Sequence, residues 1–249
     1  MMEYKVAAVT DIGNVRQKNE DSLLVCRKMF HKKEAILAVI ADGMGGLSHG
    51  AWTSKFLTDS LQEWWNKEIL PMQIEPDIDV IKDTIGFVIE NIHKAIRMQM
   101  EKYHTNMGTT LSLIFLYDRN YIIYQIGDSR VYLISKKKLI QLTKDQTWCQ
   151  MEYDAGRMTK EEMKTNKKRH ILTNALGSRE QFYTTVSTGK VKKGERLLLC
   201  SDGYYNYLDV KELYVKPFQC NINKIMEQSA ERIRKERAED NLSAILIEI

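Results

Sequence analysis

The sequence is 249 residues long, the upper end for a single domain and enough for a substantial core. A net charge of +4, from 37 basic and 33 acidic residues, is too mild for a nucleic-acid binder, which would carry a domain-wide basic excess. Charged residues interrupt the N-terminus at Glu3, Lys5, Asp11 and Arg16, and nowhere do about 18 apolar residues run together, so neither a leader peptide nor a membrane span is expected.

Taken in chain order, strands are expected at Tyr4–Thr10 and Ala35–Ala41, both rich in aliphatic and β-branched residues. A helix should follow from about Ala51 to Trp65, its aromatic residues serving the core. Ile78, Ile81, Ile85, Ile89, Ile92, Ile96 and Met100 then recur at three- and four-residue steps, the apolar stripe of a long helix. Strands return at Leu111–Tyr117, Tyr121–Ile126 and Arg130–Ile134, with tight hairpins expected at Asp118-Arg119-Asn120 and at Gly127-Asp128. The stretch 148–170 has helical signals broken at Gly156 and near Asn166. Arg196–Cys200 reads as a buried strand, and Asp209 with Glu212 resembles a capping box. A helix marked by Ile222, Ile225, Met226 and Ile233 precedes a last strand at Ser243–Ile249. Helices come in succession and strands come as hairpins, which disfavours a doubly wound parallel sheet and makes the fold class α+β. No Pro/Gly/Ser-rich linker divides the chain, so 1–249 is read as one domain. Cys26, Cys149, Cys200 and Cys220 lie far apart, without zinc or dithiol spacing, and are expected to be reduced in a cytoplasmic protein. The short basic clusters Lys136-Lys137-Lys138 and Lys167-Lys168-Arg169 read first as solvated loops.

Acidic residues stand where strands should begin or end: Glu20-Asp21, Asp42-Gly43, Asp128, Asp202-Gly203 and Asp240-Asn241. A sheet holds such a carboxylate rigidly, and a following glycine lets the backbone turn and expose its carbonyl. Oxygen ligands of this kind can converge on a hard cation such as Mg²⁺ or Mn²⁺. A single Asp-Gly is ordinarily a turn, and the pattern by itself supports an acidic metal site and no more. Strand-end carboxylates also serve as nucleophiles or sugar ligands.

The segment Thr10-Asp-Ile-Gly-Asn-Val-Arg16-Gln-Lys-Asn-Glu20-Asp21-Ser resembles the opening motif of the type 2C metal-dependent protein phosphatases (the PPM family), and Asp42-Gly-Met-Gly-Gly46 their second motif in its bacterial form. Met107-Gly-Thr-Thr110, Gly127-Asp-Ser-Arg130, Leu142-Thr-Lys-Asp145, Leu172-Thr-Asn-Ala-Leu-Gly177, Cys200-Ser-Asp-Gly203 and Glu239-Asp-Asn241 follow in family order. The resemblance implies a four-layer α-β-β-α sandwich, two antiparallel sheets flanked by helix pairs, with two Mn²⁺ or Mg²⁺ ions in the channel between the sheets. It implies that Asp42 bridges both ions, that Asp202 and Asp240 bind the first, and that Glu20 and the Gly43 carbonyl serve the second, partly through water. Asp21 would orient metal-bound water, Arg16 would grip the substrate phosphate, and Asp128 with Asp202 would hold a weaker third metal. A bridging hydroxide would attack phosphorus in line, releasing phosphate from phosphoserine or phosphothreonine in proteins. The implied partners are phosphoproteins, above all a bacterial Ser/Thr kinase and its substrates, with the chain a monomer in signalling.

Three positions depart from the family pattern. Met44 replaces a histidine found in many eukaryotic relatives and cannot donate a proton, which leaves the general acid unassigned, a metal-bound water being the expectation. Gln146 stands where a histidine is common, and Glu239 where a small or basic residue is. Residues 148–170 are expected to form a flap beside the site, where Lys167, Lys168 and Arg169 would contact acidic or phosphorylated peptides. None of His31, His49, His93, His104 and His170 is spaced as a metal cluster, although His49 follows the glycine loop. The rival reading is a catalytically inactive phosphatase-like binding protein, against which Asp42, Asp202 and Asp240 are all in place. A phosphohydrolase for small molecules or phosphotyrosine is the second alternative.

Overall fold

A computed structural model describes residues 4–45, 49–135, 138–178, 182–208 and 221–249. The Asp209 and Glu212 capping box, Cys220, Gly46, Lys136 and Lys137 lie outside them. Strands β1 (Lys5–Asp11), β7 (Arg130–Ile134), β8 (Leu139–Gln141), β10 (Arg196–Cys200) and β11 (Leu242–Glu248) make one antiparallel sheet in the order β1-β11-β10-β7-β8. The other sheet runs β2-β3-β5-β6-β9, from β2 (Asp21–Phe30), β3 (Lys33–Met44), β5 (Leu111–Tyr117), β6 (Asn120–Ile126) and β9 (Thr185–Lys190), with the two-residue β4 (Gly108–Thr109) on the end of β3.

Three apolar layers separate these elements. Ile36, Ala38, Ile40, Ile114, Leu197, Leu199 and Ile245 fill the space between the sheets. On the outer face of the β3 sheet, Leu37, Val39, Leu113 and Phe115 pack against α1 (His49–Trp64) and α2 (Ile78–Tyr103). On the outer face of the β10 sheet, Leu198, Cys200, Ala244 and Leu246 pack under α6 (Ile222–Lys235). Alternate residues of one strand therefore serve different layers, as the two-residue period of a strand requires. The α2 stripe is buried at Ile81, Ile85, Ile89, Ile92, Ile96 and Met100, and Asp77 caps the helix by accepting from the amides of Asp79 and Val80. In α1, Trp64 is buried; Trp65 is buried too, in the π-helical turn Trp65–Ile69 that follows. The fold is the α-β-β-α sandwich that the resemblance implied.

One expected turn is different. The hairpin at Asp118-Arg119 exists, with both residues at positive φ (46° and 67°) as a two-residue hairpin turn requires. The second expected hairpin, at Gly127-Asp128, does not. β6 pairs with β5 and β9, whereas β7 pairs with β10 and β8, so this turn carries the chain from one sheet to the other. The crossing places Asp128 at the mouth of the channel. Strands β2, β9 and the short β4 and β8 were not foreseen: β2 interleaves Arg27 and Lys28 with its apolar residues, β9 (Thr-Val-Ser-Thr-Gly-Lys) is an exposed, largely polar edge strand, and β4 and β8 are two and three residues long.

Candidate active site

A cavity of about 800 Å³ opens at the end of the sandwich where β1, β3 and β10 finish and β2 and β11 begin. Arg16, Glu20, Asp42, Gly43, Asp128, Asp202 and Asp240 all line it, together with Val15, Glu239 and His170. Asp21 is buried behind it and pairs in register with Asp42 across β2 and β3.

Each carboxylate is held by its backbone. The amide of Thr110 and the hydroxyl of Thr109 both donate to the Asp42 carbonyl (2.9 and 3.0 Å), and the Asp42 amide donates to Thr110 Oγ1 (3.0 Å). This is the work of the Gly-Thr-Thr segment. Asn241 ties the two chain ends together: its Oδ1 accepts from the Glu20 amide (2.8 Å), and its Nδ2 donates to the carbonyls of Ile12 and Lys18. Ser201 donates to Asp21 Oδ2 (2.8 Å). Gln146 accepts from the Gly127 amide and from Asn174 (both 2.7 Å) and donates to Thr185, so the residue in place of the family histidine anchors the turn that presents Asp128.

The two glycines after Asp42 and Asp202 do not act as turn formers. Gly43 lies within β3, and a Cβ there would stand 2.1 Å from the Gly50 carbonyl oxygen and 2.7 Å from that of Glu20. At Gly203, in the single-turn helix α5 (Asp202–Tyr205), a Cβ would stand 2.0 Å from the Asn241 carbonyl oxygen. Both are glycine because neighbouring backbones must close to within van der Waals contact for the carboxylates to converge.

Charge in the cavity is poorly compensated. Burial pushes the Asp21 carboxyl up to about 7; hydrogen bonds from Ser243 and Ser201 oppose the rise, while Asp202 and Asp240 add to it. Asp42 is raised well above the usual carboxylate range, first by desolvation and then by Asp21, Asp202, Asp128 and Asp240. Asp128 is raised likewise, by desolvation and then by Asp202. Among the described residues the basic side chains within reach are few. Arg16 Nη2 donates to Asp240 Oδ2 (2.9 Å), which raises the guanidinium further, and His170 Nδ1 stands 3.2 Å from Asp202 Oδ2. Arg130 is committed to Asp145, with Nε donating at 2.9 Å, and lies over the Tyr205 ring.

This donor set suits a hard divalent cation. Carboxylates that repel one another, and an Asp202 Oδ1 that is buried without a hydrogen-bond partner among the described residues, are what a bound cation would relieve. Among the described residues no three Asp, Glu, His or Cys side chains stand together as a ready-made cage.

His170 is the cavity residue that sequence spacing did not find, because it comes from the loop after α4 (Lys160–Thr165) and meets Asp202 only in three dimensions. His49 does not line the cavity; it begins α1, where its carbonyl accepts from Thr53. His93 is buried and stacks on Phe182 (4.1 Å between ring centroids). The stretch 148–170 contains α3 (Trp148–Asp154) and α4, separated at Gly156 (φ 70°), and Lys167, Lys168 and Arg169 are exposed on it, with Lys168 Nζ 4.6 Å from the Trp148 ring centre.

The fold is thus two antiparallel sheets packed face to face, with a carboxylate-lined cavity at one end and an arginine on its rim. The chain belongs to the protein phosphatase 2C family, whose model matches residues 14–247. It is 34% identical over 200 residues to the serine/threonine protein phosphatase PstP of Mycobacterium tuberculosis, covering 80% of this chain and 36% of that protein. The serine/threonine phosphatase stp of Listeria monocytogenes is 28% identical over 96% of this chain and 93% of its own length. Among solved structures, Stp1 of Staphylococcus aureus superposes with a TM-score of 0.88 at 26% identity, covering 100% of this chain and 96% of that one. The catalytic domain of PstP, solved in complex with two manganese ions, superposes at 0.80 with 28% identity, covering 98% of this chain and 97% of that one.

Proposed function

We propose that the chain is a metal-dependent phosphatase that hydrolyses phosphoserine and phosphothreonine in proteins. The observation that carries this reading is the convergence of Asp42, Asp128, Asp202 and Asp240 on one cavity with Arg16 at its rim. Asp42 would lie between two ions, with Asp202 and Asp240 on the first and Glu20 and the Gly43 carbonyl on the second. Asp128 and Asp202 would serve a weaker third. Mn²⁺ or Mg²⁺ held there supplies charge that offsets the phosphate dianion and lowers the pKa of water.

The chain's own residues do the rest. The planar fork of Arg16 suits two phosphate oxygens, so on substrate binding it exchanges its bond to Asp240 for the phosphate. Asp21, fixed by Ser201, orients the attacking water from behind the cavity. The new bond joins water oxygen to phosphorus, and the bond that breaks is the one to the serine or threonine oxygen, which leaves with a proton. Met44 has no proton to give. Neither Cys26 nor Cys200 takes part: burial pushes Cys26 up to about 11, and Cys200 is fully buried in β10. A Ser/Thr kinase and its substrates, in the cytoplasm, are the partners this reading assigns; no helix among the described residues is long and apolar enough to cross a membrane.

The test is hydrolysis of an aryl phosphate and of matched phosphoserine, phosphothreonine and phosphotyrosine peptides, with Mn²⁺ or Mg²⁺ and with chelator. Turnover of the first two peptides, lost with chelator and in Asp42→Asn, is expected. Absence of turnover with every metal, or preference for phosphotyrosine, would overturn the reading. Calorimetry of Mn²⁺ binding should count one site fewer in Asp128→Ala than in the wild type, and an equal count removes Asp128 from the metal set.

A further inference from the structure

Beside the catalytic cavity, and sharing Met44 and Gly45 with it, lies a second cavity of about 310 Å³. Its other lining residues are Met100 from the end of α2, Asn106 and Met107 from the segment leading into β4, and Ser178. Among the described residues no charged side chain lines it. Met100 and Met107 are buried at 8% and 4% exposure and form the apolar floor, while Gly45, Asn106 and Ser178 are exposed at the rim.

The placement of Met44 follows from β3 running past Asp42. Met44 pairs with Gly108 across β3 and β4, and a Cβ on Gly108 would meet Met44 Cγ and Sδ at 3.3 Å, so the thioether lies in the space that glycine leaves. Gly45 completes the wall at φ 139°, where a Cβ would stand 2.7 Å from the Asn106 carbonyl oxygen. The wall between the two cavities is therefore a single stretch of chain, Met44-Gly45, immediately after the residues assigned to the metals.

We propose that this cavity is a specificity subsite that accepts an uncharged apolar side chain (leucine, methionine or phenylalanine) of the substrate, close in sequence to the phosphorylated residue. The inference rests on the phosphatase reading above. Its occupant follows from continuity: the two cavities share the Met44-Gly45 wall, so a residue close in sequence to a phosphoresidue held beside Asp42 comes within reach of Met44. At about 3.3 Å per residue of extended chain, the two residues from Asp42 to Met44 correspond to about two residues of bound peptide. Its chemistry follows from the lining, because three flexible thioethers adapt to apolar groups of varied shape and offer nothing to a charge. The contrast with the carboxylate-lined cavity next door also bars an acidic side chain from that position.

The experiment compares kcat/KM for phosphothreonine peptides carrying leucine, glycine or aspartate at each of the three positions on either side of the phosphorylated residue. At one position leucine should exceed glycine by about tenfold or more, the scale on which an apolar pocket discriminates, and aspartate should be poorest. In Ser178→Trp, which places an indole over the exposed rim, the leucine-to-glycine ratio should fall towards one; Asn106→Trp, on the opposite rim, gives an independent reading if the first variant does not fold. An aryl phosphate, which has no flanking residue, is measured on every preparation. Wild-type protein that turns over the aryl phosphate and the peptides but shows no apolar preference at any position overturns the subsite and leaves the phosphatase reading standing. Undiminished leucine preference in both folded tryptophan variants also overturns it. Protein that hydrolyses none of these substrates overturns both.

Discussion

Glu248, at the last residue of β11, accepts from Arg196 Nη2 (2.7 Å) and Lys5 (2.9 Å), and Glu34, near the start of β3, accepts from Arg27 Nε (2.7 Å) and the Tyr4 amide (2.9 Å). At the other end of those same strands Asp21, Asp42, Asp128, Asp202 and Asp240 meet, and among the described residues the basic side chains that pair directly with them are Arg16, on Asp240, and His170, on Asp202. One end of the sandwich closes Glu34 and Glu248 with cations, and the other leaves a surplus of negative charge among the described residues. Burial pushes Glu248 up, but its hydrogen bonds from Lys5 and Arg196 outweigh this and hold it below its ordinary value of 4.5, whereas Asp21 and Asp42 are driven the other way. The closed end serves stability. The open end is destabilised by its own repulsion, and that is the property a cation-dependent centre needs.

The largest effect that tests this contrast is at Asp42. On the proposed metal reading Asp42 would be a ligand of both ions, and its loss would remove several kcal/mol of charge stabilisation, so Asp42→Asn should lower kcat by about a thousandfold. In chelator the same substitution should leave the melting temperature unchanged or raise it, since it removes a repelling charge; a large drop in thermal denaturation would break the comparison. Next is Glu248→Gln, which removes the charge of the Glu248 carboxylate that Arg196, at 1% exposure, donates to. It should cost about 3 kcal/mol in chemical denaturation, with turnover per folded molecule nearly unchanged. At the rim, Arg16→Lys loses the planar fork and should lower kcat/KM roughly tenfold, about 1.4 kcal/mol, seen in steady-state kinetics with a phosphopeptide. The smallest effect is the pH response of the closed end. Glu248 is lowered in the folded state, so its contribution is present above its ordinary 4.5 and is lost as pH falls through the lower folded value. Acid titration monitored by circular dichroism should show that loss below pH 4.5 in the wild type and a smaller one in Glu248→Gln.

Much of this was readable in the chain. The isoleucine stripe of α2, the strands β5, β7 and β10 and the carboxylates at strand ends carry local signals, because the period of burial is written into neighbouring residues. Strand β9 carries no such signal, since an edge strand needs only one hydrogen-bonded neighbour and no apolar face. Gln146 read as a lost histidine, and the structure makes it the anchor of the Gly127 turn. The glycines after Asp42 and Asp202 read as turn formers, but what they avoid is contact with the backbones of Gly50 and Asn241, distant in sequence.

The sequence by itself determined the α+β class, the strands that end in carboxylates and, through its ordered motifs, the family. Only the tertiary structure decided which charges meet. Asp128 reaches the cavity because Gly127-Asp128 crosses between sheets instead of closing a hairpin, His170 because the loop after α4 folds back to Asp202, and Met44 shapes a neighbouring cavity because β4 pairs beside it. Each of these depends on pairing between segments far apart in the chain. Such pairing is fixed by the packing of both sheets together, so no local window of residues encodes it.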